Sequence, residues 1–245
     1  MAQSITDFDL ASEFLQKNER VLILFKTWVP RDKFIELLYN EGGISMYRED
    51  HTPIAFSVGS NPPVKDSWPR INFERGAKGI NEIQTKERSD WQTYFLQIKE
   101  RKIEGLNTVQ FTDEEIDAFL KLHAPKSSVF PGNKEIVKWA CVSHEVQLAG
   151  VAAIARWESG EHVVASVAVH SDMRGLGIGA KLMEAVERVA LNGGIKTLCL
   201  GVNSDNLSAI ALYEKLNWQP LYKFTYVERA KLHSINPSFI CRFKF

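Results

Sequence analysis

The run Arg174-Gly175-Leu176-Gly177-Ile178-Gly179-Ala180 is the stretch whose residue types and spacing could do chemistry. Glycines let a backbone take positive φ and come close to a ligand. They open an amphipathic pattern in which Ile178, Leu182, Val186 and Val189 recur at helical spacing. The first turn of a helix presents unpaired amides and the positive end of its dipole. A strand through Val167-Ala168-Val169, a glycine turn and a helix therefore predict an anion site, most naturally for phosphate. Arg174 adds a charge-assisted donor.

Two nucleotide readings can be tested on the same residues. A P-loop needs G-x-x-x-x-G-K-[ST], which the run lacks. A dinucleotide fingerprint needs G-x-G-x-x-G and a carboxylate after the next strand. The glycines here read G-x-G-x-G, and the strand Leu198–Val202 runs out into Asn203. The bland alternative is a strand–turn–helix corner with no ligand. Cysteine chemistry has little support. Cys141, Cys199 and Cys241 are spaced for neither a disulfide framework nor a zinc site, so no metal is expected. Cys141 and Cys199 sit in apolar runs as small hydrophobes, and Cys199 has no histidine partner nearby.

The run resembles the R/Q-x-x-G-x-G/A acyl-CoA motif of the GNAT superfamily, the GCN5-related N-acetyltransferases, with Arg174, Gly177 and Gly179 at its positions. A second signature follows in the right order. Asn206-Leu207-Ser208-Ala209-Ile210-Ala211-Leu212-Tyr213-Glu214-Lys215-Leu216-Asn217-Trp218 is similar to N-x-x-A-x-x-L-Y-x-K-x-G-F, with Asn217 for glycine and Trp218 for phenylalanine. Asn tolerates left-handed backbone, and Trp is another large aromatic. The resemblance covers roughly Thr108 to Tyr226, about half the chain.

That resemblance implies acetyl-CoA, or another short acyl-CoA, as cofactor and a primary amine as acceptor, a small molecule or a peptide. The strand Val167, Ala168 and Val169 would pair with the pantetheine arm through its backbone. Amides of Arg174, Gly175, Leu176, Gly177, Ile178, Gly179 and Ala180 would hold the pyrophosphate. Asn206 would hydrogen-bond the cofactor arm, or cap a helix, or both. Ala209 would leave room for the arm. Tyr213 would be the general acid that protonates the leaving thiolate; its plain alternative is a core tyrosine. A neutral amine would attack directly, with an amide near Val169 steadying the oxyanion. Glu158, Glu161 and His162 are candidates for the base, against a solvated hairpin tip at Glu158–Glu161. His170 reads as a capping or surface residue. A non-catalytic acyl-CoA-binding module is the alternative function.

The elements that must position these residues follow from periodicity and punctuation. Thr112-x-x-Glu115 is a capping box that opens a helix with Ile116, Phe119, Leu120 and His123 on one face. A loop, His123–Asn133, leads to strands Val137–Val142, Val146–Ala155 and His162–Val169, an antiparallel meander. Helix Gly177–Leu191, strand Thr197–Val202, helix Leu207–Leu216, strand Pro220–Val227 and a tail strand Phe239–Phe245 complete the second half. The first half reads as helix Leu10–Lys17 capped by Asp9, strand Val21–Phe25, helix Arg31–Tyr39, strands Pro53–Val58 and Arg70–Glu74, and helix Asp90–Arg101. Elements and resemblance together imply an α/β (α+β) fold: a mixed, mainly antiparallel central sheet flanked by helices, preceded by a smaller α/β domain. A junction at Glu104–Asn107 predicts domains 1–106 and 107–245. The first is a degenerate second copy of the same fold, or a lid or dimerisation domain. Loops Phe56–Pro69 and Ala124–Glu135 are candidate substrate walls, and Lys126, Lys134 and Lys138 read as solubilising charges.

The bulk numbers set the frame. The chain has 245 residues, 44% hydrophobic, with 30 basic and 30 acidic side chains. A net charge of zero gives no field for nucleic acid or an anionic membrane. The opening residues lack a basic segment followed by an apolar one, and no apolar run reaches a membrane span. A reducing cytoplasm and a monomer or homodimer are the expectations.

Overall fold

The computed structural model describes residues 2–49, 53–99 and 110–230. These fall into two compact units, one built from the chain up to Gln92 together with the chain from Tyr222, the other from Thr93–Leu221. The junction expected at Glu104–Asn107, the tail strand Phe239–Phe245 and Cys241 lie outside the described residues.

The first unit begins with β1 (Gln3–Ile5), α1 (Phe8–Leu15) and α2 (Glu19–Trp28). Three strands follow as an antiparallel set, β2 (Phe34–Asn40), β3 (Gly43–Arg48) and β4 (Ile54–Val58). Then β5 (Arg70–Glu74) lies parallel to β4, with Ala55 opposite Ile71 and Ser57 opposite Phe73. The chain returns much later to pair with β5 in antiparallel fashion, from Phe224 opposite Glu74 to Glu228 opposite Arg70.

Several expected elements are different here, each for a physical reason. Val21–Phe25 is helical, not extended. Asn18 Oδ1 accepts from Val21 N–H at 3.3 Å, and Val21, Leu24 and Phe25 are buried at helical spacing. A short apolar run cannot tell the two apart by periodicity; the cap decides. Arg31–Tyr39 is not a helix. Only Arg31–Lys33 coils, as a 3-10 turn, and β2 then pairs with β1 and β3. Asp90–Arg101 is not a helix either, as far as Lys99. It lies mostly in β6 (Thr85–Gln97), where Gln92, Thr93 and Tyr94 are buried in succession. A strand covered on both faces loses the alternation that betrays it. The first helix is capped by Asp7 and not Asp9, with Asp7 Oδ1 accepting from Asp9 and Leu10 N–H at 2.9 Å.

The second unit follows the sequence reading closely. It takes the end of β6 and continues with α3 (Asp113–His123), β7 (Ile136–His144), β8 (Gln147–Arg156), β9 (His162–Val169), α4 (Ile178–Asn192), β10 (Thr197–Asn203) and α5 (Leu207–Lys215); β11 (Gln219–Arg229) leaves it for the first unit. The capping box forms: Glu115 N–H donates to Thr112 Oγ1 at 3.3 Å and Thr112 N–H to Glu115 Oε2 at 2.7 Å. Strand order is β6-β10-β9-β8-β7, with β7, β8 and β9 antiparallel and β10 parallel to β9. One sheet face packs Val164, Leu198 and Leu200 on Leu182, Met183 and Val186 of α4 and on Tyr213 and Trp218. The other packs Cys141, Val151 and Ala168 on Ile116, Phe119 and Leu120 of α3. Each large apolar side chain among them contributes about 1.5–3 kcal/mol through removal from water. The result is a mixed, mainly antiparallel sheet flanked by helices, as expected.

Among the described residues, no helix is long and apolar enough to cross a membrane, and no group of three or more His, Cys, Asp or Glu could hold a metal ion.

Candidate active site

The site starts with a defect in β9. Val151 and Ala153 on β8 face Ala168 and Ala165 on β9, so two steps on one strand span three on the other. The extra residue falls at Ser166–Val167, and Ser166 sits at φ 51°. A bulge of this kind bends its strand and re-aims the residues beyond it. β9 and β10 share one register pair, Val163 with Cys199, near the start of each. Past that pair they part. His170 N–H donates to Ala149 O at 2.9 Å, toward β8. Strand amides alternate sides, so the Val169 amide faces the gap where β10 has departed.

The chain then turns. Ser171–Met173 form a 3-10 turn capped by His170, whose Nδ1 accepts from Asp172 N–H at 3.3 Å. His170 thus caps, as its sequence position suggested. Gly175 and Gly177 take φ 82° and 78°. A Cβ at either would meet nothing within 4 Å, so the demand for glycine there is conformational. Gly179 is different: a Cβ there would lie 3.1 Å from Leu212 Cδ2, so its small size lets the head of α4 sit against α5. Gly177 caps α4 with no side-chain hydrogen bond. Ala180 and Lys181 N–H both donate to Gly177 O, at 3.1 and 3.2 Å. The amides of Gly177, Ile178 and Gly179 find no acceptor among the described residues. Arg174 and Leu176 are exposed beside them.

Imidazoles steady this turn from the α3 side. His123 Nδ1 accepts from Ser171 N–H at 3.3 Å and lies 3.2 Å from Ser171 Oγ. Its ring packs 4.1 Å from that of His170 and 4.6 Å from that of Phe119. Burial, reinforced by His170 and Arg174 against Asp172, holds the His123 pKa below its ordinary 6.5, which keeps Nδ1 free to accept.

α5 carries the second set. Asn206 Oδ1 accepts from Ala209 N–H at 3.2 Å and from Ser208 Oγ at 3.1 Å, a working cap whose amide nitrogen remains to donate. Ala209 is half-buried against the α4-face core. The helix ends in a Schellman motif: Trp218 N–H donates to Tyr213 O at 3.0 Å, Asn217 N–H to Glu214 O at 3.1 Å, and Asn217 takes φ 61°. Asparagine therefore fills the left-handed position where the motif has glycine. Tyr213 is 5% exposed, packed between the rings of Tyr94 and Trp218 at 6.0 and 5.9 Å. Burial pushes its pKa up to about 12. Its hydroxyl has no hydrogen-bond partner among the described residues.

The loop after α3 closes over the bulge. Ser166 Oγ donates to Val129 O at 2.7 Å and accepts from Val129 N–H at 3.0 Å. A depression of about 450 Å³, open to solvent, lies beside this clip, lined by Ala124, Pro125, Lys126, Ser127, Ser128, Ser166 and Val167. Of the two expected substrate walls, Ala124–Glu135 thus supplies lining residues.

The proposed base residues lie elsewhere. Trp157 N–H donates to Glu161 O and Gly160 N–H to Trp157 O, making the hairpin tip between β8 and β9. His162 stands opposite Arg156 at the start of β9, the end remote from the glycine turn. Burial, and then Arg156, lowers its pKa. Cys141 is buried with its thiol pushed up to about 11, and Cys199 is buried in β10. Sequence reasoning missed the bulge and its clip, the Ser171–His123 contact and Tyr94. A lone Ser166 in an otherwise apolar strand was the available signal for the first.

Comparison with known proteins fits this geometry. A model of the acetyltransferase (GNAT) family matches residues 91–218. No curated protein matches the chain. Among solved structures, an acetyltransferase from the GNAT family from Colwellia psychrerythraea is 9% identical, with TM-score 0.51 over 94% of this chain and 99% of that one. A GCN5-related N-acetyltransferase from Kribbella flavida is 13% identical, with TM-score 0.50 over 91% and 97%. One from Sphaerobacter thermophilus is 12% identical, with TM-score 0.50 over 92% and 94%. These likenesses show a shared fold. The matched span takes in more than half of the residues, including the bulge, the glycine turn and α5, and the chain belongs to the acetyltransferase (GNAT) family.

Proposed function

We propose that the protein moves an acetyl or short acyl group from acyl-CoA to a primary amine by direct attack, with Tyr213 as the general acid. The family supports acyl transfer in general. The observation that carries the finer reading is the set of three acceptorless amides, Gly177, Ile178 and Gly179, at the head of α4. Gly177 is exposed, Ile178 buried and Gly179 half-buried; covered amides without partners are costly, and a helix N-terminus with open amides suits a diphosphate. Arg174 adds a positive charge at the rim. The gap between β9 and β10 offers the unpaired edge, through Val167 and Val169, that an extended arm bearing amides would fill. Asn206 supplies a side-chain amide donor and Ala209 a low wall. The residues present therefore fit acetyl-CoA.

The Val169 amide, turned toward that gap, would donate to an oxyanion formed at a thioester carbonyl. Tyr213 supplies the proton for the sulfur. Its phenol stays protonated across the neutral range. A thiolate leaving into a buried pocket is itself made more basic by desolvation, the same direction in which burial moves the phenol. The amine enters neutral, attacks the carbonyl carbon, and gives up its proton to water as the C–S bond breaks.

The first unit repeats the strand plan, three antiparallel strands and then a parallel fourth, but no helix follows β4. After β4, Gly59 N–H donates to Glu74 Oε2 at 2.7 Å, so a carboxylate of the chain already occupies that amide. We read this unit as a degenerate copy that takes no acyl-CoA.

A thiol-release assay on the purified chain, with acetyl-CoA and a panel of primary amines, tests the function. Thiol release dependent on amine is the expected result. Binding of acetyl-CoA with no release across the panel would leave a non-catalytic acyl-CoA-binding module.

A further inference from the structure

We infer that the acceptor is a small amine whose far end carries an anionic group, the chemistry of an amino acid with its carboxylate. The inference rests on the acyl-transfer reading and names the substrate class of the same site. The depression beside the β9 bulge is about 450 Å³ and open to solvent, with room for a small ligand. It shares Val167 with the strand edge along which the thioester arm is placed, so an amine held there lies next to the gap faced by Val169. Its lining has one ionisable side chain, Lys126, and no carboxylate. Lys126 is exposed and has no ion-pair or hydrogen-bond partner among the described residues. The Ser127 and Ser128 hydroxyls are likewise without partners there, whereas Ser166 spends its hydroxyl on Val129. An unneutralised ammonium with two open hydroxyls complements an anion. The same charge repels an acceptor with a second ammonium, so a polyamine is the wrong ligand for this lining.

The reaction balances simply. The nitrogen lone pair of the neutral amino group forms a C–N bond to the thioester carbonyl carbon. The C–S bond breaks, the sulfur leaves with its electron pair and takes one proton, and the nitrogen loses one. The carboxylate is unchanged and serves only to anchor the acceptor on Lys126.

The test uses the full chain with acetyl-CoA and compares kcat/KM for glycine and β-alanine with those for glycinamide and spermidine, by thiol release. The carboxylate-bearing amines are expected to lead by about tenfold, the size of one charge-assisted contact. In Lys126→Met that lead should collapse, with the loss in KM, and in Lys126→Arg it should return. Calorimetric titration of glycine into the chain saturated with coenzyme A gives an arm independent of turnover, with binding weakened about tenfold in Lys126→Met. Turnover that ignores the carboxylate, or a lead that survives Lys126→Met, overturns this inference and leaves acyl transfer intact. Thiol release from no amine contradicts acyl transfer itself, and the titration then still decides whether Lys126 holds a carboxylate.

Discussion

The Tyr94 hydroxyl donates to Glu214 Oε1 at 3.1 Å, and this bond ties β6 to the helix that carries Tyr213. Tyr94 is fully buried, and its ring lies 6.0 Å from that of Tyr213. A strand met before the family motifs in the sequence thus braces the residue next to the proposed acid. Tyr94→Phe keeps the ring and deletes the tether. It should lower kcat several-fold while leaving acetyl-CoA affinity near wild type, as read by steady-state kinetics beside calorimetry. An equal loss in affinity would place Tyr94 with the cofactor instead.

Tyr213→Phe removes the proton donor and keeps the packing against Trp218. Turnover should fall roughly 10²-fold, the lower range for a lost general acid, with acetyl-CoA affinity little changed. The fall should ease as the leaving thiol is made more acidic in a series of thioester analogues. An unchanged kcat removes Tyr213 from the mechanism.

Gly177→Ala tests the turn. With φ at 78° and open space around the Cβ position, the cost is one of backbone conformation, about 1 to 2 kcal/mol. The unfolding free energy should fall by that amount, read as a lower thermal midpoint, and acetyl-CoA affinity should fall with it. Gly179→Val brings its bulk against Leu212 and should weaken binding further. A variant at both positions with wild-type affinity would show that the anion is held elsewhere.

Ser166→Ala and Ser166→Gly separate strain from bonding at the bulge. Glycine relieves the φ of 51°, yet both variants lose the paired bonds to Val129. Both should raise KM for the amine several-fold, with acetyl-CoA affinity preserved. Recovery in the glycine variant alone would mean that backbone strain matters and the clip does not.

Alkaline pH should unfold the protein through its tyrosines. Burial pushes Tyr94, Tyr213 and Tyr222 up to about 12 from an ordinary 10. Below pH 10 folded and unfolded chains both keep these protons, so these groups add no pH dependence. Between 10 and 12 the unfolded chain releases protons that the folded chain retains, and stability falls as pH rises. The tyrosinate absorbance of these three and the loss of secondary structure should rise together in that window. Ionisation of all six tyrosines at pH 10 with the fold intact would contradict the burial.

The second unit was legible because its signals agree across levels. The Thr112–Glu115 box, the Gly175–Gly179 turn and the helical stripe of α4 each depend on neighbours in sequence, and β9 takes the bounds its pattern marks, His162–Val169. The first unit was less legible because tertiary burial overrides pattern there. Gln92, Thr93 and Tyr94 are all covered, so β6 shows no alternation, and Leu22 and Ile23 fill the outer side of α2 and disguise its period. The bulge at Ser166 and the Tyr94–Glu214 bond join residues 37 and 120 positions from their partners, separations that no local rule reads.

The most direct measurement is backbone amide NMR of the isotope-labelled chain during titration with acetyl-CoA. Saturation at one equivalent is the predicted result, with large downfield shifts and slowed exchange at Gly177, Ile178 and Gly179, and none at Gly59. Saturating ligand that leaves those three amides unmoved, while others shift, would contradict a diphosphate held at the head of α4.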